Sequence, residues 1–455
     1  MNRLYYILII SGLISILITL SYSVSGGNLV VVLLPLTYVF VSFLFKGLYW
    51  YLSKSFVFKV FQLQAIVRYL LLPVLYSSGQ NLGVGHNSEY TNIAIVIMCI
   101  ELLVIYTVFL FYAKKQQAVI LSGDLNIRYI KKSILVPLFL VVLFIIVYSG
   151  GALDKVNFIW ELSGYVEKYI NQSEELEVEG LSVVFFNTFK VILTLYLFSL
   201  IQQSKFIVNK KWFICFIILA SSLVMVGLSR FSMVLNLAVL LAMLSFMLNN
   251  SDVKRILYLT IPFFITVLGV ASIAKFSRYG EEVDGKDLVS ASSLNAYFLG
   301  FGNIAVGIEA FNTIDWLDSV LYLFNDTLQN VPILSKLTDD TYKTTLRFNE
   351  TYYGHKLWAD QIVPLSISGI FHFGYIGIFI YNPLFIAFAL LMERCAYMVD
   401  YIGYKYVFIY FSLVFSLVFM LNLGSFYGSF ARILLFVLIP IVCLKFFTSL
   451  KFSMR

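Results

Sequence analysis

Runs of about twenty consecutive apolar residues recur along the whole chain, and this pattern restricts the fold more than any other feature. A helix needs about 20 such residues to cross a bilayer, where it satisfies its own backbone hydrogen bonds. The runs lie at 4–22, 29–45, 60–77, 92–112, 133–149, 181–200, 212–228, 231–248, 256–274, 368–392, 406–423 and 430–447. Gln62, Gln64 and Arg68 interrupt the third run. The pattern predicts an all-α integral membrane protein with about 12 transmembrane helices.

The composition also favours a bilayer environment. Of the 455 residues, 60% are hydrophobic and 13% are charged, with a mean hydropathy of +0.88. Soluble domains are about 45–50% apolar and about 25% charged. The net charge of +7 does not indicate a nucleic-acid partner, because the lysines follow the ends of apolar runs, as in cytoplasmic membrane loops. The first apolar run lacks a small-residue cleavage site, so we expect it to be retained as a helix.

The distribution of Lys and Arg predicts the orientation of the helices. With Met1 in the cytoplasm, the short outside loops at 23–28, 78–91 and 424–429 contain no Lys or Arg, whereas the inside loops contain most of the basic residues. Because cytoplasmic loops are enriched in positive charge, both termini are predicted to be cytoplasmic.

This topology divides the chain into three parts. Residues 1–274 hold the first nine helices, with an acidic outside loop at 150–180. Residues 275–367 form a large extracytoplasmic loop domain between the ninth and tenth helices, and residues 368–455 hold the last three helices. Inside the loop, the moderately apolar run from Leu294 to Phe311 predicts either a helix lying against the membrane or a re-entrant segment.

Metal and cofactor sites are not expected. The four cysteines do not have the spacing of metal ligands, and none lies in a segment that we place outside. A Gly-rich phosphate loop, an HExxH motif and a GxSxG motif are missing from the sequence.

Basic residues within or beside the apolar runs are functional candidates, because a charge in the membrane costs several kcal/mol. The candidates are Arg68, Lys190, Arg230, Arg278 and Arg432, and all of them are predicted near the extracytoplasmic side. Arginine binds phosphate groups in a bidentate manner and stays charged. Such a cluster suits a lipid diphosphate. The alternatives are side chains that snorkel to the interface and, for Arg68, an ion pair with Glu101.

Other candidates lie in or beside the large loop. A neutral His beside a hydroxyl can act as a general base, which makes His355 and His372 catalytic candidates. The aromatic residues of the loop could stack on sugar rings, and the alternative is that they pack within the protein. The further substrate-binding candidates of this region are Tyr279, Arg347, Tyr352, Trp358 and Asp360.

Three segments resemble the O-antigen polymerases, the Wzy-type oligosaccharide repeat-unit polymerases of bacterial surface polysaccharide. VGLSRFSMVLNLAVLL resembles the turn that opens a long helix in this family, and it contains Arg230. AKFSRYG resembles the basic-aromatic exit into the large loop, with Arg278 and Tyr279. SISGIFHFGYIGIFIYNPLFIAF resembles the Gly-rich entry into the following helix, with Gly374 and Gly377.

The resemblance implies an enzyme of the bacterial inner membrane. It would transfer a growing glycan from undecaprenyl diphosphate onto a second lipid-linked repeat unit, using no cofactor. Its partners would be the lipid-linked oligosaccharide and membrane lipids, together with a chain-length regulator and a flippase.

Two other functions remain open from the sequence. One is an O-antigen ligase, which shares the topology and the arginines. The other is a flippase that transports lipid-linked oligosaccharides, although a transporter usually has two similar halves and short loops.

Overall fold

The computed structural model describes residues 3–24, 28–83, 88–122, 127–151, 153, 156–158, 181–205, 209–226, 230–276, 290–329, 331, 334–354 and 361–449. Most of them are helical, as predicted. They form two compact units. Unit 1 comprises residues 1–122, 284–394 and 411–431, and unit 2 comprises residues 123–283, 395–410 and 432–455.

The N-terminal part contains α1 (Arg3–Val24), α2 (Leu33–Leu44), α3 (Lys46–Tyr51), α4 (Phe56–Ile66), α5 (Leu72–Ser77) and α6 (Thr91–Ser122), with a π-helical turn at Val67–Leu71 between α4 and α5. The middle part contains α7 (Leu135–Ser149), β1 (Val156–Phe158), α8 (Leu181–Gln203), α9 (Lys210–Leu223), β2 (Val224–Val226), α10 (Arg230–Met247) and α11 (Asn250–Phe276).

The C-terminal part begins with α12 (Ala291–Tyr297), α13 (Phe301–Phe311), α14 (Ser319–Leu328) and α15 (Thr344–Tyr353). It continues with α16 (Leu365–Phe373), α17 (Tyr381–Met398), α18 (Ile402–Ser416), α19 (Leu423–Ile433) and α20 (Ile439–Ser449). Short 3₁₀ turns lie at Leu29–Val32, Ser88–Tyr90, Trp316–Asp318, Leu334–Leu337, Asp340–Tyr342 and Gly374–Phe379, and a second π-helical turn lies at Leu434–Leu438.

Several of these helices are long and apolar enough to cross a membrane, so the chain is a multi-pass membrane protein. Five qualify singly, and two bent pairs raise the number to seven if each pair is one span. The five are Tyr5–Ser23, Phe56–Ser77, Thr91–Ile120, Ser182–Gln203 and Leu423–Thr448. Shorter apolar helices occupy four other predicted spans, at Leu29–Leu44, Leu135–Ser149, Met233–Met247 and Ile402–Ser416. The count of twelve stays a prediction.

The third predicted span forms in spite of its polar residues because the fold gives them partners. Gln62 Nε2 donates to the Tyr106 hydroxyl at 2.8 Å, and its Oε1 accepts from the Tyr38 hydroxyl at 2.9 Å. Gln64 Nε2 donates to the Ser416 carbonyl at 2.9 Å, and its Oε1 accepts from Phe419 N–H at 3.2 Å. Buried amides with both ends bonded are tolerated inside a membrane helix.

Two predicted spans end earlier than the sequence indicated. The span predicted to reach residue 228 stops at Leu223, because Val224–Val226 pairs antiparallel with Val156–Phe158. β-Branched valines favour such a strand. The span predicted to reach residue 423 stops at Ser416, where the Gln64 amide bonds the backbone of Ser416 and Phe419 in place of continued helix hydrogen bonds.

The predicted span 368–392 is broken. Its two parts, Leu365–Phe379 and Tyr381–Met398, are bent by 71°. Helix α16 ends at Phe373, and the next residue, Gly374, has a φ of +64° that residues other than glycine rarely adopt. The following 3₁₀ residues pack back on α16 so closely that a Cβ on Gly377 would lie 1.8 Å from the Gly369 carbonyl oxygen. We call the bend between Phe379 and Tyr381, at the start of α17, the break.

The run from Leu294 to Phe311 forms a second bent pair, α12 and α13, with an angle of 60°. Residues Phe301–Ile308 of α13 are all buried, and α13 packs against α6. A helix lying on a membrane surface would expose one face, so this burial fits the re-entrant alternative.

Candidate functional site

Three buried polar side chains of unit 1 form a linear array beside the break. His372, near the end of α16, lies with Nε2 at 3.0 Å from Asp326 Oδ2 and with Nδ1 at 2.8 Å from the Tyr381 hydroxyl. Asp326 belongs to α14, and Tyr381 is the first residue of α17. All three are at least nine-tenths buried. The order of groups is therefore carboxylate, imidazole, phenol.

The carboxylate of Asp326 is held rigidly by further bonds. Its Oδ1 accepts from the backbone N–H of Thr344 at 3.0 Å and from Gln329 Nε2 at 3.2 Å. Thr344 is the first residue of α15, where an acidic group is stabilised by free N–H groups and by the helix dipole. The neighbouring Asn325 bonds Asp339 N–H through its Oδ1 at 2.6 Å. The end of α14 thus organises the segment that leads into α15.

This arrangement has a definite chemical capacity. A carboxylate that accepts the Nε2–H of His372 fixes the tautomer and stabilises the imidazolium form. Nδ1 is then the basic nitrogen, and it faces the Tyr381 hydroxyl. The array can accept a proton at Nδ1 and share its positive charge with Asp326.

Tyr322 lines the same side of α14. Its ring lies 5.3 Å from that of Phe371, next to His372 in the chain. Burial raises the pKa of the Tyr322 phenol above its ordinary value.

A second buried polar cluster touches the break through the next residue of α17. Arg68 Nη1 lies 2.7 Å from Glu101 Oε2, with both side chains 1% exposed. Asn382 Nδ2 donates to Glu101 Oε1. The Arg68 guanidinium also lies over the Phe419 ring, 4.0 Å from its centre. Within the described part of the chain its nitrogens give no well-aligned hydrogen bond, so Glu101 and Phe419 hold its charge.

The local backbone at Arg68 is unusual. Arg68 lies in the π-helical turn Val67–Leu71, and such turns often occur at functional sites. Tyr381 and Asn382 are adjacent, so the start of α17 carries one contact to each cluster. Broken membrane helices with polar groups at the break are a common way to build an internal site.

The sequence candidates are distributed unevenly over this structure. His372 belongs to the array, and Arg68 pairs with Glu101, the alternative that the sequence left open. Arg347 on α15 donates to Glu350 at 2.6 Å and to the Thr313 hydroxyl at 2.7 Å. It follows Thr344, the residue that bonds Asp326, by one helical turn. Tyr352 is buried and stacks on Phe348, which favours a packing role.

Two basic candidates belong to unit 2. Arg230 is the first residue of α10, and Arg432 lies near the end of α19. Lys190 Nζ in the same unit donates to the Val224 carbonyl at 3.1 Å, which is a structural pairing. Five further candidates lie outside the described residues, namely Arg278, Tyr279, His355, Trp358 and Asp360.

Sequence reasoning missed Asp326, Tyr381 and Asn382. A signal for Asp326 was present, because Tyr322, Asn325 and Asp326 share one face of α14 at helical spacing. Tyr381 and Asn382 gave no signal, since they look like interior residues of an unbroken span.

No protein-family model, curated protein or solved structure matches this chain. The function must therefore be inferred from the two buried polar clusters and from the resemblance of three segments to the O-antigen polymerases.

Proposed function

We propose that the chain is a polymerase of bacterial surface polysaccharide in the inner membrane. It transfers a growing glycan from undecaprenyl diphosphate onto a hydroxyl of a second lipid-linked repeat unit at the extracytoplasmic face. The observation that carries this proposal is the Asp326–His372–Tyr381 array, which supplies a base for the attacking hydroxyl. His372 and Tyr381 lie in the segment that resembles the O-antigen polymerases.

In the proposed step the acceptor oxygen forms a bond to the anomeric carbon, and the bond from that carbon to the diphosphate oxygen breaks. The acceptor proton passes to the Tyr381 oxygen while the Tyr381 proton passes to His372 Nδ1. The Asp326 carboxylate stabilises the imidazolium that forms, as in other carboxylate–histidine pairs. The diphosphate leaves with the electron pair of the broken bond.

The leaving group needs cations. Arginine side chains stabilise negative charge that develops on a diphosphate. Within unit 1, Arg347 is the sequence candidate that would serve the diphosphate in this proposal. Arg230, Arg278 and Arg432 belong to unit 2, and their role toward the diphosphate stays a prediction from the sequence. Arg68 is assigned a smaller part, because Glu101 already balances its charge. His355, Tyr279, Trp358 and Asp360 lie outside the described residues. His355 stays a second candidate base, and Tyr279, Trp358 and Asp360 stay candidates for binding the substrate.

Loss of the gene tests the proposal. A strain without a polymerase attaches single repeat units to the lipid core, which gives one band in gels of surface polysaccharide. A strain without a ligase attaches no glycan, and polymer accumulates on the lipid carrier. The purified protein should also form polymer from lipid-linked repeat units. Absence of polymer in that assay, with folded protein, would reject the proposal.

A flippase is the second candidate, and the break favours it. Transporters often bind substrates where a membrane helix is interrupted. In this protein the buried Arg68–Glu101 pair contacts the start of α17 through Asn382. Translocation of a fluorescent lipid-linked oligosaccharide in liposomes, without polymer formation, would select this function.

A further inference from the structure

Helix α14 has its polarity reversed relative to an ordinary amphipathic helix. Its buried face carries Tyr322, Asn325 and Asp326. Its outward face carries Val320, Leu321 and Phe324, which are 71%, 42% and 51% exposed. In a helix packed against a protein in water, the apolar stripe faces the protein. Here the polar stripe faces the protein, and the apolar stripe faces outward.

The apolar residues on either side of α14 extend this surface. Leu317 precedes the helix, and Leu334 and Leu337 follow it, with exposures between 38% and 65%. We call these three residues, together with Val320, Leu321 and Phe324, the apolar face. Single exposed apolar residues are common on soluble proteins, whereas six of them between Leu317 and Leu337 indicate a surface that contacts something apolar.

Helix α14 packs against a candidate membrane span that also exposes apolar side chains. It contacts α16, and the 3₁₀ turn after α16 exposes Tyr375, Ile376 and Phe379. Helix α17 follows in the same bent pair and exposes Leu384 and Leu391. Exposed apolar side chains therefore occur both on α14 and on the candidate span against which it packs.

The charged residues near this face lie at its two ends. Asp318 precedes α14, Lys336 is exposed between Leu334 and Leu337, and the exposed Asp339 and Asp340 follow Leu337. Within α14 itself the charged residue is Asp326, which lies on the buried face. A lysine beside an apolar surface extends its ammonium group toward lipid phosphates while its methylene chain stays in the apolar layer. The exposed stripe of α14 is therefore apolar throughout, with charged groups only beyond its ends.

We propose that the apolar face of α14 lies in the hydrocarbon boundary of the bilayer, with lipid acyl chains as its occupant. Asp326, on the opposite side of the same helix, is then fixed at the depth of the lipid headgroups. His372 is held there with it. The inference does not depend on the proposed function, since it follows from the exposure of these side chains and from the packing of α14 against the candidate span.

Spin-label accessibility tests the inference. The native cysteines Cys99, Cys215, Cys395 and Cys443 are first replaced by Ala, and single cysteines are introduced at Val320, Phe324 and Leu337. The protein is placed in liposomes of phosphatidylethanolamine and phosphatidylglycerol. Leu17 on α1, which is 67% exposed on a candidate span, is the lipid control. Asp340, whose side chain is 77% exposed, is the water control.

Labels at all three positions should collide often with oxygen and rarely with a water-soluble nickel chelate, as at Leu17. Frequent collision with the nickel chelate, as at Asp340, would overturn the inference. Low accessibility to both reagents would also overturn it, because a protein partner or a second copy of the chain would then cover the face. In a Val320→Glu/Phe324→Glu variant, the label at Leu337 should shift toward the values of Asp340.

Discussion

The imidazole of His372 and the carboxylate of Asp326 lie 3.0 Å apart although 46 positions separate them in the chain. The first is near the end of α16, and the second is near the end of α14. Their contact ties the broken span to the segment that leads into α15, because Asp326 also bonds Thr344 N–H. The position of the His372 imidazole therefore depends on the mutual position of three helices, α14, α15 and α16.

Replacing Asp326 with Asn tests the role of this contact. The amide keeps the shape of the carboxylate but does not stabilise an imidazolium, so polymer formation should fall by roughly 10²–10⁴-fold, the usual contribution of a general base. The measurement is polymer formation from purified lipid-linked repeat units. Asp340→Asn, at an exposed site, is the matched control and should retain activity. Equal activity of the two variants would show that Asp326 is not part of the chemistry.

The Arg68–Glu101 pair should respond more strongly to single than to double substitution. Arg68→Met leaves the Glu101 carboxylate buried without its cation, which costs about 3–5 kcal/mol. The Arg68→Met/Glu101→Leu variant removes both charges and should recover much of that loss. Thermal unfolding in detergent measures both effects. If the double variant is less stable than the single one, the two side chains do not act as an ion pair.

Gly377→Ala should disrupt the packing of the 3₁₀ turn Gly374–Phe379 on α16. The new Cβ would lie 1.8 Å from the Gly369 carbonyl oxygen. Because that oxygen belongs to the backbone of a helix, it cannot move away without distorting the helix. We expect lower protein levels and a lower unfolding temperature. Gly47→Ala is the control, because its Cβ meets only Tyr51 at 3.6 Å and alanine favours helix. Similar stability of both variants would contradict the close approach.

Arg230 should need its guanidinium group, if it holds the diphosphate. Lysine supplies a charge without the planar fork, so Arg230→Lys should lose much of the activity. Arg230→Ala should lose about 10²–10³-fold, the effect of removing one charged donor from the transition state. Arg278→Lys should behave in the same way. Arg255→Lys, at a site 69% exposed, is the control for protein level and activity. Full activity of Arg230→Lys and Arg278→Lys would remove the diphosphate-binding hypothesis.

The predicted orientation is tested by reporter fusions at two positions. The Lys/Arg distribution places Asn250 in the cytoplasm and Thr338 outside. A phosphatase reporter, which is active only outside the cytoplasm, should be active at Thr338 and inactive at Asn250. The same activity at both positions would show that the span count between them is wrong.

The sequence by itself determined the class of the protein and the position of most of its helices. Long apolar runs and scarce charge leave membrane helices as the way to bury the backbone, and that constraint is local to each segment. The candidates Arg68 and His372 were also found this way, because a polar side chain in an apolar run stands out in the sequence alone.

Only the tertiary structure decided how these polar residues are used. Asp326 meets His372, and Asn382 meets Glu101, through helices that are distant in the chain. The break itself depends on the contact of Gly369 with Gly377, and the early end of α18 depends on the Gln64 side chain. These are contacts between segments, and hydropathy describes each segment alone. The break and its polar clusters therefore followed from packing, whereas the membrane fold followed from composition.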